Sequence, residues 1–549
     1  MRLWLKEYWP GLVAVIGVFV ILLMDCLPDV TWINTDSDGP HYVFSAQYLF
    51  PAHKTSAPLY LLVGHAFMWI PFGTEAWRYG LLSVLSSTVS AWYVYLLAKH
   101  YTSNRWASAI ASAVFGTSAI VISQSTIIDS YAFVTMFGVM GWYYALKGRW
   151  LIASLVFGCG IAVHHIIAIP LVVALVYFKP LRNWKRLLTM GAFLAFYLYI
   201  PLTNRPPYMW HQPNSALAGD FLGDNLSTLL MLFGGISVWD LPKRLLDTLA
   251  LVAVGFGIAF IPMVRGLWSK KWYRNPLAWL VLLPVLYFAT DLAPQTWVYL
   301  IIAVPFGAVV AAIGLQGAKR AVLIGVTVFT AIFGLYNAQT FDIGRTLDPE
   351  LSAVQFRTEL DKVKDGDILL AKQGWEWAVV YPYNMDNGRD IISICVSTLP
   401  GANYRKDNLD ANGIKYEVPV TSKVDTSVEI AESIVALNPD KVLWTTLATD
   451  PATYGAKIVP ATKGVFGQPT SGVTNPVVKW QPSNPYDFYT GAIEVNEWTY
   501  ILWSNWSMQT VFMLAVISYS PFWIIPRLVK RFHIKKAVKS EISWRSKKN

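Results

Sequence analysis

The stretch Thr35–Tyr60 reads TDSDGPHYVFSAQYLFPAHKTSAPLY, and the rest of the chain is organised around it. It follows the first long apolar run and opens with two acids, Asp36 and Asp38. Acids are expensive to keep at the mouth of an apolar helix bundle, which marks them as candidates for function. The competing reading is a solvated loop whose acids only mark a membrane boundary. The remainder of the chain decides between the two.

The 549 residues are 54% hydrophobic and 14% charged, against about 25% charged in an average soluble domain. Apolar runs of about 20 residues, long enough to cross a bilayer, recur along the chain. The chain therefore reads as an α-helical polytopic membrane protein. Lys and Arg outnumber Asp and Glu by 44 to 34, a formal net charge of +10. That excess lies in short loops between apolar runs and in the tail Arg527–Lys548. Such a distribution orients a protein in a membrane, with the cationic loops cytoplasmic, and does not call for nucleic acid. Three cysteines, Cys26, Cys159 and Cys395, support neither a disulfide framework nor a zinc site. Residues 1–28 start basic and turn apolar like a signal peptide. No small-x-small cleavage site follows, so the segment is kept as a transmembrane helix. The absence of a Walker-type loop and of GxGxxG argues against a nucleotide-driven pump.

Basic loops fix a topology. Arg2 and Lys6 precede the first span, Tyr8–Leu27, and put the N-terminus inside. The Asp36/Asp38 loop is then outside. Pro58–Phe72 is short for a span and is placed as a juxtamembrane helix. Trp77–Ala98 runs inward to Lys99, His100 and Arg105, and Trp106–Ser123 returns outward. Asp129 sits at the outer end of the next span, which reaches Lys147 and Arg149 inside. Trp150–His165 goes out, and Ile166–Phe178 comes back to Lys179, Arg182, Lys185 and Arg186. Leu187–Leu202, Leu246–Val264, Pro276–Thr290, Thr296–Leu315, Ala321–Ala338 and Ser507–Leu528 complete about twelve spans with both ends inside. Counting Pro58–Phe72 as a span would throw the later basic loops onto opposite sides. Three regions follow. Residues 1–339 form the transmembrane domain with its first outer loop at 29–76. Residues 340–505 form a small extracytoplasmic domain. Residues 506–549 hold the last transmembrane helix and a basic cytoplasmic tail.

The outer segment reads as mixed α/β. Pro349–Val363 and Val424–Leu437 have helical spacing. Asp367–Ala371, Asp390–Ser397 and Lys441–Thr446 are short β-rich runs, which together predict a small, largely parallel sheet. Gly464–Asn484 is rich in Gly, Pro, Ser and Thr and reads as loop. Cys395 reads as a core residue of its strand.

Candidate chemistry therefore lies at the outer ends of the spans. A lipid-borne phosphate donor and a hydroxyl acceptor could meet there. Their reaction needs a base for the acceptor proton, cations for the departing phosphate and a groove for the lipid tail. Asp38 is the preferred base and Asp36 the second. His53, Lys54 and Arg205 suit the phosphate, although Lys54 and Arg205 also fit as snorkelling or headgroup-level anchors. His164 and His165 end an apolar run, where polar groups are costly. On a helix they would point roughly 100° apart, which speaks against both binding one ion. Asp129 could pair with one of them. The 25 Trp and 28 Tyr residues read mostly as interfacial belts, with Tyr60 and Trp210 as candidate sugar contacts.

Asp38-x-x-x-Tyr42, then Ala57-Pro58 and a Trp77-Arg78 opening the next span, resembles the GT-C glycosyltransferases that use lipid-linked donors. These include the bacterial aminoarabinose transferase acting on lipid A. His53-Lys-Thr-Ser-Ala-Pro58-Leu59-Tyr60 is similar to an HPPGxPLY signature. Gly160-Ile-Ala-Val-His164-His165 resembles a second block, and Tyr197-Leu-Tyr-Ile-Pro201-Leu202 with Trp210-x-x-Pro213 a third. Gly366-Asp-Ile-Leu-Leu370, followed by Tyr381 and Asp390, resembles an outer-domain block. These blocks resemble the membrane family that contains the eukaryotic O-mannosyltransferase of plexin and receptor IPT domains, with its prokaryotic relatives. The sequence departs from the signature at residues 54–57 and carries Gly39 where an acid usually follows the catalytic Asp.

The resemblance implies a GT-C fold with Asp38 as catalytic acid, Asp36 beside it, and a donor that is a polyprenyl- or dolichyl-phosphate sugar. It implies transfer of mannose or another hexose to a protein, glycan or lipid hydroxyl. A divalent metal is compatible with the sequence but not required by it. The partners implied are the lipid-linked donor, the acceptor and membrane lipid, with no nucleic acid. The setting is a prokaryotic plasma membrane, or the endoplasmic reticulum in a eukaryote, with the site extracytoplasmic. The alternative is a transporter or flippase, which would favour inverted repeats and broken helices at mid-membrane. A third reading, an adhesion or scaffolding module, leaves the outer-end acids unexplained.

Overall fold

The computed structural model describes residues 2–27, 39–52, 57–203, 241–268, 272–290, 296–341, 357, 360–371, 374–395, 409–410, 412–417, 433–445 and 478–479. The N-terminal part is helical: α1 (Arg2–Met24), α2 (Gly39–Tyr48), α3 (Pro58–Phe67), α4 (Glu75–Thr102), α5 (Arg105–Thr117), α6 (Ala119–Ser125), α7 (Ser130–Leu146), α8 (Trp150–Ile161) and α9 (Ala168–Tyr177). It continues through α10 (Trp184–Gly191), α11 (Tyr199–Thr203), α12 (Leu241–Phe256), α13 (Phe260–Leu267), α14 (Pro276–Thr290), α15 (Thr296–Tyr299), α16 (Val304–Gly314) and α17 (Arg320–Phe341).

Local chemistry sets the helix ends. The Thr74 hydroxyl accepts from Trp77 N at 3.1 Å, Glu75 lies in the first turn of α4, and Lys99 and His100 lie in the last. Capping and charge thus both complement the helix dipole. Ser103 turns the chain at φ 52, and Asn104 at once caps α5, its side chain accepting from Trp106 N and Ala107 N at 3.0 and 3.2 Å.

The basic loops gather at one end. Lys99 Nζ meets Glu7 at 2.6 Å and lies over the Tyr8 ring, and Arg105 donates to the Lys6 carbonyl at 2.9 Å. Lys147 lies 3.4 Å from His100, and Gln316 donates to the Tyr101 carbonyl. The apolar core fills with large side chains, among them Trp142, Tyr95, Phe115, Phe157 and Phe306. Outward stripes stay apolar: Val13, Ile16 and Met24 on α1, and Ile324, Val328, Ile332 and Leu335 on α17, are each more than half exposed. Such stripes suit lipid and are costly in water.

Four helical stretches among the described residues are long and apolar enough to cross a membrane: Lys6–Met24, Glu75–Thr102, Arg244–Leu267 and Arg320–Ala338. A fifth is possible if Arg105–Thr117 and Ala119–Ser125, bent by 57°, count as one span. The remaining expected spans in the described residues coincide with shorter or interrupted apolar helices. Pro58–Phe67, at 10 residues, is about 15 Å long. The expected span Trp150–His165 is not one helix. It ends at Ile161, and a 3-10 turn, His165–Ile167, leads into α9.

Small residues let helices close on one another, as is common in membranes. A Cβ at Gly314 would fall 1.8 Å from the Pro262 carbonyl oxygen, and one at Gly266 2.2 Å from that of Val310. At these points α13 and α16 touch backbone to backbone.

The later segment holds β1 (Ile368–Ala371), α18 (Gly374–Asn387), β2 (Ile392–Cys395), β3 (Leu443–Thr445) and β4 (Val478–Lys479). The sheet order is β2-β1-β3-β4, with β1 parallel to both neighbours and β4 antiparallel to β3. All three expected strands are present. Buried Asp367 ties β1 to β3, accepting from Val442 N at 3.1 Å and Trp444 Nε1 at 3.0 Å. One expectation is corrected: Val478–Lys479 lies in the stretch read as loop but pairs as an edge strand. Residues 374–387, to which the sequence reading assigned no element, form a helix despite the internal Pro382. The expected helices Pro349–Val363 and Val424–Leu437 fall mostly outside the described residues.

Candidate functional site

The chain leaves the bundle after α1 and is next described as α2 at the end opposite the basic cluster. Leu27 N donates to the Thr126 carbonyl at 2.9 Å, so the chain departs three residues before Asp129. Asp129, 8% exposed, is the N-cap of α7, and its carboxylate accepts from Ser130 N. The Ser83 hydroxyl donates to the Asp129 carbonyl at 3.3 Å. Lys147 sits at the other end of α7, about 25 Å away.

The chain returns as α2, whose residues Gly39–Ala46 are buried. Tyr42, Tyr60 and Tyr79 pack there, with ring centroids 5.1 Å apart for Tyr42–Tyr60 and 4.7 Å for Tyr60–Tyr79. Tyr79 donates to the Tyr60 carbonyl at 3.1 Å. Gly64 makes room for that ring, since a Cβ there would lie 2.3 Å from it. Tyr60 also meets Phe133 of α7 at 5.8 Å.

The two histidines lie in the break after α8, not on a helix. His164 is extended, φ −158 and ψ 145, and its Nδ1 accepts from Ile166 N. The two imidazoles lie side by side at 4.2 Å, which corrects the expectation that they diverge. The reason is that the 100° rule holds only while backbone angles stay helical. Tyr131 meets His164 edge-on at 5.2 Å and Tyr299 at 5.2 Å. Tyr131, two residues into α7, thus supplies the ring contact to His164, while Asp129 serves as the cap. Leu59 N donates to the Ala162 carbonyl at 3.1 Å, and Tyr199 donates to the Phe50 carbonyl at 2.9 Å. These bonds join both ends of the 53–56 stretch to the histidine break and to α11.

Tyr60, Asp129, His164 and His165 are therefore assembled around the first two turns of α7. Asp36, Asp38, His53, Lys54, Arg205 and Trp210 lie outside the described residues. Among the described residues, no group of three or more His, Cys, Asp and Glu could hold a metal ion. Sequence reasoning missed Tyr79, Tyr131 and Tyr299, having assigned most tyrosines to interfacial belts, and read Tyr42 only as part of the Asp38-x-x-x-Tyr42 motif. The pairing of Gly64 with Tyr79 leaves no mark in a single sequence. It also missed Gln124, which is 1% exposed and has neither amide atom hydrogen-bonded. Gln124 lies two residues before Thr126, where the loop departs. An unsatisfied buried amide costs about 1–3 kcal/mol, which a bound polar group or water would relieve.

The α/β segment reaches this end. The Tyr48 hydroxyl donates to Asp386 Oδ1 of α18 at 2.6 Å. Partial burial, then the Asp386 hydrogen bond and charge, push the Tyr48 hydroxyl pKa above its ordinary value.

No curated protein sequence matches the chain. Among solved structures it is similar to ArnT from Cupriavidus metallidurans bound to undecaprenyl phosphate, at 13% identity and TM-score 0.51, over 82% of this chain and 93% of that one. The apo state of that ArnT gives 13% identity and TM-score 0.50 over the same shares. The Archaeoglobus fulgidus oligosaccharyltransferase tethered with an acceptor peptide gives 12% identity and TM-score 0.48, over 82% of this chain and 70% of that one. The chain thus has a GT-C fold, and its residues 38–185 match the family model of the protein O-mannosyl-transferase TMEM260 N-terminal domain.

Proposed function

We propose that the chain is a membrane glycosyltransferase that moves a hexose, mannose first among them, from a polyprenyl-phosphate carrier to a hydroxyl of a protein, glycan or lipid acceptor. One observation carries this reading. The chain leaves the bundle at Leu27, ahead of Asp36 and Asp38 in sequence, near Asp129 and the adjacent His164–His165 rings, at the end opposite the basic loops. The family match over 38–185 and the undecaprenyl phosphate held by the similar ArnT support the same class of donor.

The chemistry is a direct displacement. The acceptor oxygen bonds to the anomeric carbon as the bond from that carbon to the phosphate oxygen breaks. The acceptor proton passes to the Asp38 carboxylate, and polyprenyl phosphate leaves with the electron pair. One carboxylate suffices, and the anomeric centre inverts. Lys54 and Arg205, with His53, neutralise the departing phosphate. Asp36 or Asp129 orients the acceptor, and the buried Tyr42, Tyr60 and Tyr79 rings brace α2 and α3 beneath the loop. The reaction lies on the extracytoplasmic side, because Lys6, Lys99, Arg105 and Lys147 mark the other end as cytoplasmic.

The test is transfer from a panel of radiolabelled polyprenyl-phosphate sugars by purified protein. Asp38→Asn keeps shape and hydrogen bonding but cannot take a proton, so transfer should fall by about 10²–10⁴ while donor binding persists. Asp36→Asn should cost less. Exchanged outcomes exchange the two roles. Full activity in both variants overturns the assignment of this loop. Arg205→Ala should weaken donor use more than acceptor use.

A further inference from the structure

The α/β domain touches the first outer loop at a corner that both halves of the loop share. Tyr48 is the last residue of α2, and Asp38 directly precedes the first, Gly39. The next residue, Leu49, turns the chain at φ 57, a conformation an L-residue adopts only under constraint. Beyond it come Phe50, Pro51 and Ala52, and then His53 and Lys54. The corner is held on two sides. On the bundle side, Phe44 is fully buried and stacks on Phe50 at 5.3 Å, while Tyr199 donates to the Phe50 carbonyl. On the other side α18 lies against α2, and Tyr48 donates to Asp386 at 2.6 Å. Asp386 sits in the last turn of α18, and a second set of contacts holds that same end. Asn384 bonds the Ile391 backbone through both its amide nitrogen and its amide oxygen, and Arg389 reaches Asp365 and the Val363 carbonyl. The corner is therefore tied through α18 to strands β1 and β2.

We propose that Tyr48 and Asp386 form a positioning contact through which the α/β domain holds α2 and the Leu49–Phe50 corner in place for transfer. This rests on the proposed glycosyltransferase reading for its kinetic consequence, though not for the contact itself. The two residues touch neither donor nor acceptor in this account. They act by fixing α2, and small misplacements of reacting groups are expensive in rate.

Three variants in the full-length protein test it, with two readouts. Tyr48→Phe removes only the hydroxyl, Asp386→Ala removes the acceptor, and Asp386→Asn retains a side-chain oxygen that accepts from Tyr48. The first two should lower kcat by roughly ten-fold with donor KM within about two-fold. Asp386→Asn should keep at least half of the wild-type kcat. The double variant Tyr48→Phe/Asp386→Ala should be no slower than the slower single, because both remove one interaction. Backbone hydrogen exchange over residues 39–50 should rise in Tyr48→Phe and Asp386→Ala and stay at wild-type level in Asp386→Asn. Losses that multiply in the double variant, or unchanged exchange over 39–50, overturn the proposal. So does a kcat loss that merely tracks a loss of folded protein. If wild-type protein transfers no sugar, the glycosyltransferase reading fails, and the exchange pattern alone then decides whether the contact holds the corner.

Discussion

His164 and His165 are consecutive in the chain, yet their imidazoles lie 4.2 Å apart because the backbone leaves the helix between them and α8. One ring caps a 3-10 turn and meets Tyr131, and the other lies half-buried beside it. The break brings polar rings to the end of the bundle where an uninterrupted helix would have spread them over two faces.

That arrangement separates two contributions of His164. Replacing it by Ala removes the cap on Ile166 N, at a cost of about 1 kcal/mol, and removes the ring that meets Tyr131. His164→Asn restores a capping oxygen but not the ring. Thermal unfolding of detergent-purified protein should show Asn near wild type and Ala below it. Transfer should fall at least about ten-fold in both. Recovery of transfer in the Asn variant would make the ring structural only.

Asp129 can be divided the same way. Asp129→Asn keeps an N-cap, whereas Asp129→Ala should lose about 1 kcal/mol of stability. A drop in transfer in the Asn variant, with unfolding unchanged, would assign work to the charge itself. Equal transfer in wild type and Asn would leave Asp129 as the cap of α7.

Gly314→Ala should be among the most damaging small substitutions in the bundle. Its Cβ has only 1.8 Å to the Pro262 oxygen, and overpacking of this kind costs about 1–3 kcal/mol. Gly325→Ala is the control, since nothing lies within 4 Å of a Cβ there. In a helix that change should be neutral or stabilising by up to about 1 kcal/mol. Melting temperatures of the two variants should move apart.

The Arg389 hydrogen bond, at 2.6 Å, holds the Asp365 carboxyl below its ordinary value of 3.8. A folded-state pKa that is depressed stabilises above the unfolded value and loses that stabilisation as pH falls through the folded one. The contact is thus fully present at neutral pH and fades below pH 3.8. Unfolding midpoints recorded from pH 5 downward should fall less steeply in Asp365→Asn than in wild type. Asp365 is exposed, so the difference should be small and should shrink with salt.

A reporter active only in the cytoplasm, fused after residue 345, should stay silent. A strong signal would reverse the membrane orientation. The basic loops gathered around Lys99 and Lys147 would then lie outside.

The general plan was legible because it depends on coarse signals. Apolar runs and basic loops marked the helices, and the β-rich runs near Ile368, Ile392 and Leu443 marked three parallel strands. What was not legible depends on backbone geometry or on partners distant in sequence. The sequence reading places the boundary between Trp150–His165 and Ile166–Phe178 at the histidines. Apolar residues continue through Val163, so nothing announced that the helix ends at Ile161 and that His164 is extended. Pro382 and the asparagines around it hid α18, whose packing against α2 and the strands outweighs its weak propensity. The tyrosines were counted as belts because a single sequence does not tell which rings point inward. Asp36, Asp38, His53, Lys54, Arg205 and Trp210 keep the standing they had as sequence candidates.

Under the proposed glycosyltransferase reading, the backbone contact between α13 and α16 has a consequence for the route of the lipid-borne donor. An isoprenoid tail needs at least its own van der Waals thickness between two walls. Where Gly266 and Gly314 bring carbonyls against α-carbons, no such gap exists. That seam is sealed to hydrocarbon, so a donor arriving sideways from the bilayer must enter along another flank. Bulkier side chains introduced at Gly266 or Gly314 would spread the bundle without opening a donor path.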